Sequence, residues 1–99
     1  MAALPQVCDL VGKRMEVFVD GGIRRGADIA KAVASGATAA LIEHPALYGA
    51  CAAGEAGTGH VLKTLRDELA RTMILCGVPD IAGLGSLPLS SPPSKPPDR

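Results

Sequence analysis

The stretch Val17-Phe18-Val19-Asp20-Gly21-Gly22-Ile23-Arg24-Arg25-Gly26-Ala27-Asp28 decides how this chain folds. A short apolar run ends in an acid at Asp20, Gly21 and Gly22 strip side chains from the turn, and a basic pair precedes a helix-like segment. That order spells a strand, a tight turn and a helix start. Backbone N–H groups in such a turn can point outward at an anion, most often a phosphate. Ala27 to Ser35 reads as the helix, with Ile29, Ala30 and Val33 on its inner face and Gly36 as its stop. Asp28 near its start suits the positive end of the helix dipole. Ala37 to Ile42 is then a nearly all-apolar run bounded by Gly36 and Pro45. Its length and flanks favour a strand buried on both faces.

The same reading extends to both sides. Ala2 to Val11 places Leu4, Val7, Cys8, Leu10 and Val11 near one side of a helix, with Pro5 tolerable in the first turn and Gly12 as the stop. Glu16 to Val19 is the first strand, rich in β-branched and aromatic residues. The resulting αβαβ order has connections short enough for a right-handed parallel crossover. Ala46 to Gly59 contains four glycines and suits a loop or short helix. Val61 to Cys76 is the longest helix, with Leu62, Leu65, Leu69, Met73 and Cys76 on one face. Lys63, Asp67 and Arg71 form a solvated ladder on another face, and His60 reads as a helix-start residue. Gly77 and Pro79 end that helix, and Asp80 to Leu84 adds one more turn.

Composition limits what the chain can be. At 99 residues it holds one domain at most. Ser86 to Arg99 carries five of the eight prolines and four serines, so residues 86–99 read as a disordered or extended tail and 1–85 as the folding unit. Tyr48 and Phe18 are the only aromatics, and Ala, Val, Leu and Ile supply the apolar content. That balance favours helices on a parallel sheet over an antiparallel sandwich. The formal net charge is zero, and no basic run is interleaved with aromatics, so nucleic-acid binding has no support. Cys8, Cys51 and Cys76 are odd in number and widely spaced, which implies neither a disulfide framework nor a zinc site. They read as buried, reduced thiols. No apolar stretch reaches the roughly 20 residues of a membrane span, and the expectation is a cytoplasmic protein without membrane contact.

The run DGGIRRGADIAKAVASGATAALI (20–42) resembles the C-terminal part of the FMN-dependent α-hydroxy acid oxidases and dehydrogenases. That group includes glycolate oxidase, lactate oxidase and the flavocytochrome-type lactate dehydrogenases. The likeness extends back into ALPQV (3–7) and forward through YGACAAGEAG (48–57), HVLKTLRDELARTMILCGV (60–78) and Asp80-Ile81. It implies α/β architecture: the last two βα units of a (β/α)₈ TIM barrel, incomplete on its own. Residues 16–19 would match the seventh strand and 37–42 the eighth. Such barrels commonly bind a phosphate at the loops after these strands. The resemblance implies FMN as cofactor, with Asp20 near the ribityl chain, Gly21 and Gly22 permitting close approach, Ile23 contributing main chain and Arg24 facing the phosphate. Arg25 is expected to face solvent. At the second loop the family carries Gly-Arg before the proline, whereas Glu43 and His44 stand here. Glu43 brings a negative charge toward a dianion; two unit charges at about 4 Å in a surface-like dielectric repel by roughly 4 kcal/mol before screening. His44 supplies positive charge only when protonated.

The family's catalytic histidine and arginine lie on a Ser-Asn-His-Gly-type loop after the sixth strand, expected just upstream of Ala2. No catalytic residue is therefore assigned, and the chain alone is expected to be inactive. Two parallel strands leave two open edges, so self-association or a complementary barrel segment is expected. Two other readings stay open: a non-catalytic half-barrel that docks on a partner, with Pro88 to Pro97 as an extended tail, and a small phosphate or nucleotide binder using only Asp20 to Arg24.

Overall fold

A computed structural model describes residues 3–89. In chain order the elements are α1 (Leu4–Val11), β1 (Phe18–Asp20), α2 (Gly26–Ala34), β2 (Ala39–Leu41), α3 (His44–Cys76) and α4 (Ile81–Leu84). β1 and β2 pair in parallel, with Phe18 opposite Ala39, Val19 opposite Ala40 and Asp20 opposite Leu41. The α2 crossover between them packs on β2, and its other side rests on α3 and α4.

Side-chain alternation explains which sheet face is covered. Val19 and Ala40 turn toward the helices, where Leu4, Val17, Ile23, Ala32 and Ala37 form the core together with partly buried Val11, Ile29 and Ile42. Phe18 and Leu41 fall on the other face and are 56 % and 48 % exposed.

Both strands differ in extent from the sequence reading. The first spans Phe18–Asp20 where 16–19 was expected, and the second Ala39–Leu41 where 37–42 was expected. The cause lies at the entry to the ladder. The Val17 N–H donates to the Thr38 Oγ1 at 3.2 Å, and the Thr38 N–H donates to the Val17 carbonyl at 2.7 Å. A threonine hydroxyl thus replaces a backbone acceptor, and the regular ladder begins one residue later.

Residues 46–59, expected as a loop or short helix, are helical on both sides of a break. α3 starts at His44, reverses at Ala53 (φ −152°, ψ 25°) and Gly54 (φ 60°, ψ −138°), and continues to Cys76. Its two arms lie against each other where Gly49 and Gly57 meet; a Cβ on Gly57 would collide with the Gly49 carbonyl oxygen. The glycines that lower helix propensity here are therefore the ones that let the two arms touch. His60 consequently sits inside the second arm and not at a helix start; its carbonyl accepts the Thr64 hydroxyl at 2.9 Å.

The cysteines also depart from expectation. Cys8 is half-buried, whereas Cys51 and Cys76 are exposed free thiols. Lys63, Asp67 and Arg71 are exposed as expected. After α4 the chain stays bonded through residue 87, with the Ser86 N–H on the Gly83 carbonyl and the Leu87 N–H on the Leu84 carbonyl. The remainder of the expected tail, residues 90–99, lies outside the described residues. Among the described residues no helix is long and apolar enough to cross a membrane.

Candidate functional site

β1 and β2 end side by side, and the turns that follow them face each other across a cavity of about 160 Å3. A site needs only about 10–15 Å3 on the same measure to hold one water, so this one has room for a small polyatomic anion. Asp20, Gly21, Gly22, Ile23, Arg24, Glu43 and His44 all line it, joined by Leu41 and Pro45. Every residue singled out from the sequence is thus gathered at one place. Leu41 and Pro45 had no chemical signal to single them out; they enter as walls.

Gly21 and Gly22 have φ of 95° and 76°. A Cβ at either would meet no atom within 4 Å, so backbone conformation and not space demands glycine there. An L-residue in that region costs about 1–2 kcal/mol. Ile23 anchors the turn: its side chain is 3 % exposed within the core, leaving its main chain for the cavity. Among the described residues, no hydrogen bond from the N–H of Gly22 or Ile23 is found. These are donors available to an anion.

The two helix starts at the cavity differ. At α2 the N–H groups of Arg24 and Arg25, just ahead of the helix, both donate to Asp28 Oδ2 at 3.0 Å, so its own carboxylate takes the donors on that approach. At α3 no side chain caps Glu43 and no acid lies in the first turn. Its leading N–H groups have no intrahelical acceptor, and the helix dipole favours negative charge there. An anion is therefore drawn to the α3 side and to the Gly22–Ile23 donors.

Arg24, Glu43 and His44 are exposed at the rim. His44 lies beside Tyr48, ring centroids 6.1 Å apart and tilted 31°. The carboxylates of Asp20 and Glu43 oppose an anion, while Arg24 and the free N–H groups attract one. The donor set fits a phosphate, with Glu43 as the discordant member. Arg25 has a different role. Its Nε and Nη2 both reach Glu68 Oε2 at 2.6 Å, and the Glu68 side chain is only 17 % exposed. A carboxylate that far out of water needs a cation, so Arg25, although 74 % exposed, is committed to α3 and Arg24 is left for the ligand. This contact spans 43 residues and carries no local sequence signal.

A second groove of about 490 Å3 adjoins the first across Arg24 and Pro45, with Tyr48 and His60 on its walls. Among the described residues no group of three or more His, Cys, Asp or Glu side chains is placed to hold a metal ion.

The model of the family described as FMN-dependent dehydrogenase matches residues 1–90. An L-lactate oxidase from Roseobacter sp. (strain GAI101) is 47 % identical over 82 % of this chain and 22 % of its own length. Glycolate oxidase 1 of Zea mays is 44 % identical over 83 % of this chain and 22 % of its own. A solved structure of (S)-mandelate dehydrogenase superposes with a TM-score of 0.79 at 42 % identity, covering 84 % of this chain and 23 % of that one. The chain spans about a fifth of the length of these relatives, a partial match to a barrel fold.

Proposed function

The chain belongs to the FMN-dependent dehydrogenase family, and from that premise we propose that it forms the part of the flavin site that holds the cofactor's terminal phosphate. FMN is the family's cofactor. The observation that carries the proposal is the gathering of Asp20 to Arg24 with the uncapped α3 start around one anion-sized cavity. Gly22 and Ile23 would donate main-chain N–H groups, Arg24 a mobile guanidinium, and the first turn of α3 its dipole and free N–H groups. Asp20, at the strand end, would accept from the ribityl hydroxyls. Glu43 would oppose the phosphate from its exposed position at the rim, its charge screened by water and ions.

When bound, FMN supplies the two-electron acceptor for oxidation of a 2-hydroxy acid to a 2-oxo acid. This chain's residues bind and orient; none is assigned a catalytic role. β1 and β2 are read as the seventh and eighth strands of the barrel, residues 1–85 as a partial barrel domain and 86–99 as its tail. Phe18 and Leu41 would face the barrel interior, with the remaining strands as the complementary segment. A cytoplasmic location is our reading of the composition.

Titration of FMN against riboflavin, followed by flavin fluorescence, tests the proposal. FMN should bind with micromolar affinity and riboflavin at least tenfold more weakly; equal affinities would remove the phosphate from the account. Lactate or glycolate should give no turnover. A second reading, a non-catalytic module docking through the open sheet, is favoured by half-exposed Phe18 and by Glu43 in the phosphate seat. Absence of FMN binding together with a stable complex with a partner would select it.

A further inference from the structure

We propose that Asp28 is the positioning residue of the phosphate seat, an inference that rests on the phosphate-binding reading above. Its Oδ2 accepts from two N–H groups at 3.0 Å, those of Arg24 and Arg25. An acid that only complemented the α2 dipole would need no partner outside the helix. Arg25 is the cap residue of α2, but Arg24 lies before it, in the turn itself. The carboxylate therefore reaches past the helix and fixes the peptide plane between Ile23 and Arg24.

That plane has a fixed neighbour on its other side. The Ile23 side chain is buried in the core, so the turn is pinned at Ile23 from below and at Arg24 from above. The Gly22 and Ile23 N–H groups come just before these anchors, so a fixed Ile23–Arg24 plane limits how far they swing, although Gly21 and Gly22 have conformational freedom. The Asp28 N–H donates back to the Arg25 carbonyl at 3.0 Å, so the anchoring residue is itself held.

The same bonds decide where the anion sits. Asp28 occupies the Arg24 and Arg25 N–H groups on the approach to α2. The donors left at the cavity are the N–H groups of Gly22 and Ile23, the Arg24 side chain and the α3 start. The acceptor oxygen does this work; the negative charge does not, since it repels a dianion at short range. An asparagine keeps a carbonyl acceptor at the same place and removes the charge.

Two replacements separate these contributions. With FMN as the probe and flavin fluorescence as the readout, Asp28→Ala in the full chain should bind about tenfold more weakly or worse, as expected for losing two backbone hydrogen bonds. Asp28→Asn should bind within about threefold of the unmodified chain, or more tightly. Thermal unfolding without FMN is followed in parallel. If Asp28→Ala is unfolded, Asp28→Asn decides alone. Asn binding as poorly as Ala, or Ala binding as well as Asp, overturns the proposal while leaving the phosphate reading intact. Failure of the unmodified chain to bind FMN overturns both.

Discussion

Gly26→Ala should unfold this protein at lower temperature, although alanine is the better helix former. Gly26 opens α2, directly after Arg25, and lies where α2 crosses α3. A Cβ there would run into the Leu69 backbone nitrogen and lie 2.6 Å from both the carbonyl carbon and the Cβ of Glu68. Carbon atoms pack comfortably at about 3.5–4.0 Å, so the helices must part by roughly 1 Å. The obstacles include main chain, and no rotamer change can move main chain aside. Overpacking of this kind costs about 1–3 kcal/mol, against at most about 1 kcal/mol gained in helix propensity. With the full helix gain subtracted, the net loss is up to about 2 kcal/mol, a midpoint lowered by up to about 16 °C for a domain of this size. Parting the helices also stretches the Arg25–Glu68 contact, so FMN affinity should fall with the midpoint. Far-UV circular dichroism during heating gives the first quantity and flavin fluorescence the second. A Gly26→Ala chain that melts at or above the unmodified midpoint would refute the close-crossing argument.

Glu43→Gln should strengthen FMN binding by about tenfold at low salt, because it removes a repulsion screened only by water and ions; the gain should shrink at high salt, and an unchanged affinity would show that Glu43 already points away. A double-mutant cycle with Arg25→Ala and Glu68→Gln, read by denaturant unfolding, should give a coupling of about 0.5–1 kcal/mol, kept small by the 74 % exposure of the Arg25 side chain. Additive effects would dissolve the pairing. Phe18→Lys places a charge on the open sheet face and should shift sedimentation toward the monomer; unchanged association would place the contact elsewhere.

The alternation of apolar runs, glycine stops and a helical period between them was enough to read a β-α-β unit, and the acid-glycine-glycine turn was enough to point to its open end, where the structure has a cavity. Both signals are local. Gly77 illustrates why such signals work: it ends α3 in the left-handed region at φ 72°, where glycine is the residue least opposed. Residues 46–59 resisted the same logic, since Gly49, Gly54 and Gly57 lower helix propensity in isolation. Only the second arm of α3 shows that Gly49 and Gly57 serve a close crossing and Gly54 a reversal. Strand ends were blurred by a threonine hydroxyl standing in for a backbone acceptor at Val17. The division of labour between Arg24 and Arg25 was also hidden, because Glu68 is 43 residues away.

Amide chemical shifts during an FMN titration give the most direct test of the phosphate seat. The largest changes should fall on Gly21 to Arg24 and on the start of α3 at His44 and Ala46, and riboflavin should leave them nearly unmoved. Shifts centred on the Tyr48–His60 groove, or equal responses to FMN and riboflavin, would contradict a phosphate held between the two strand-end turns.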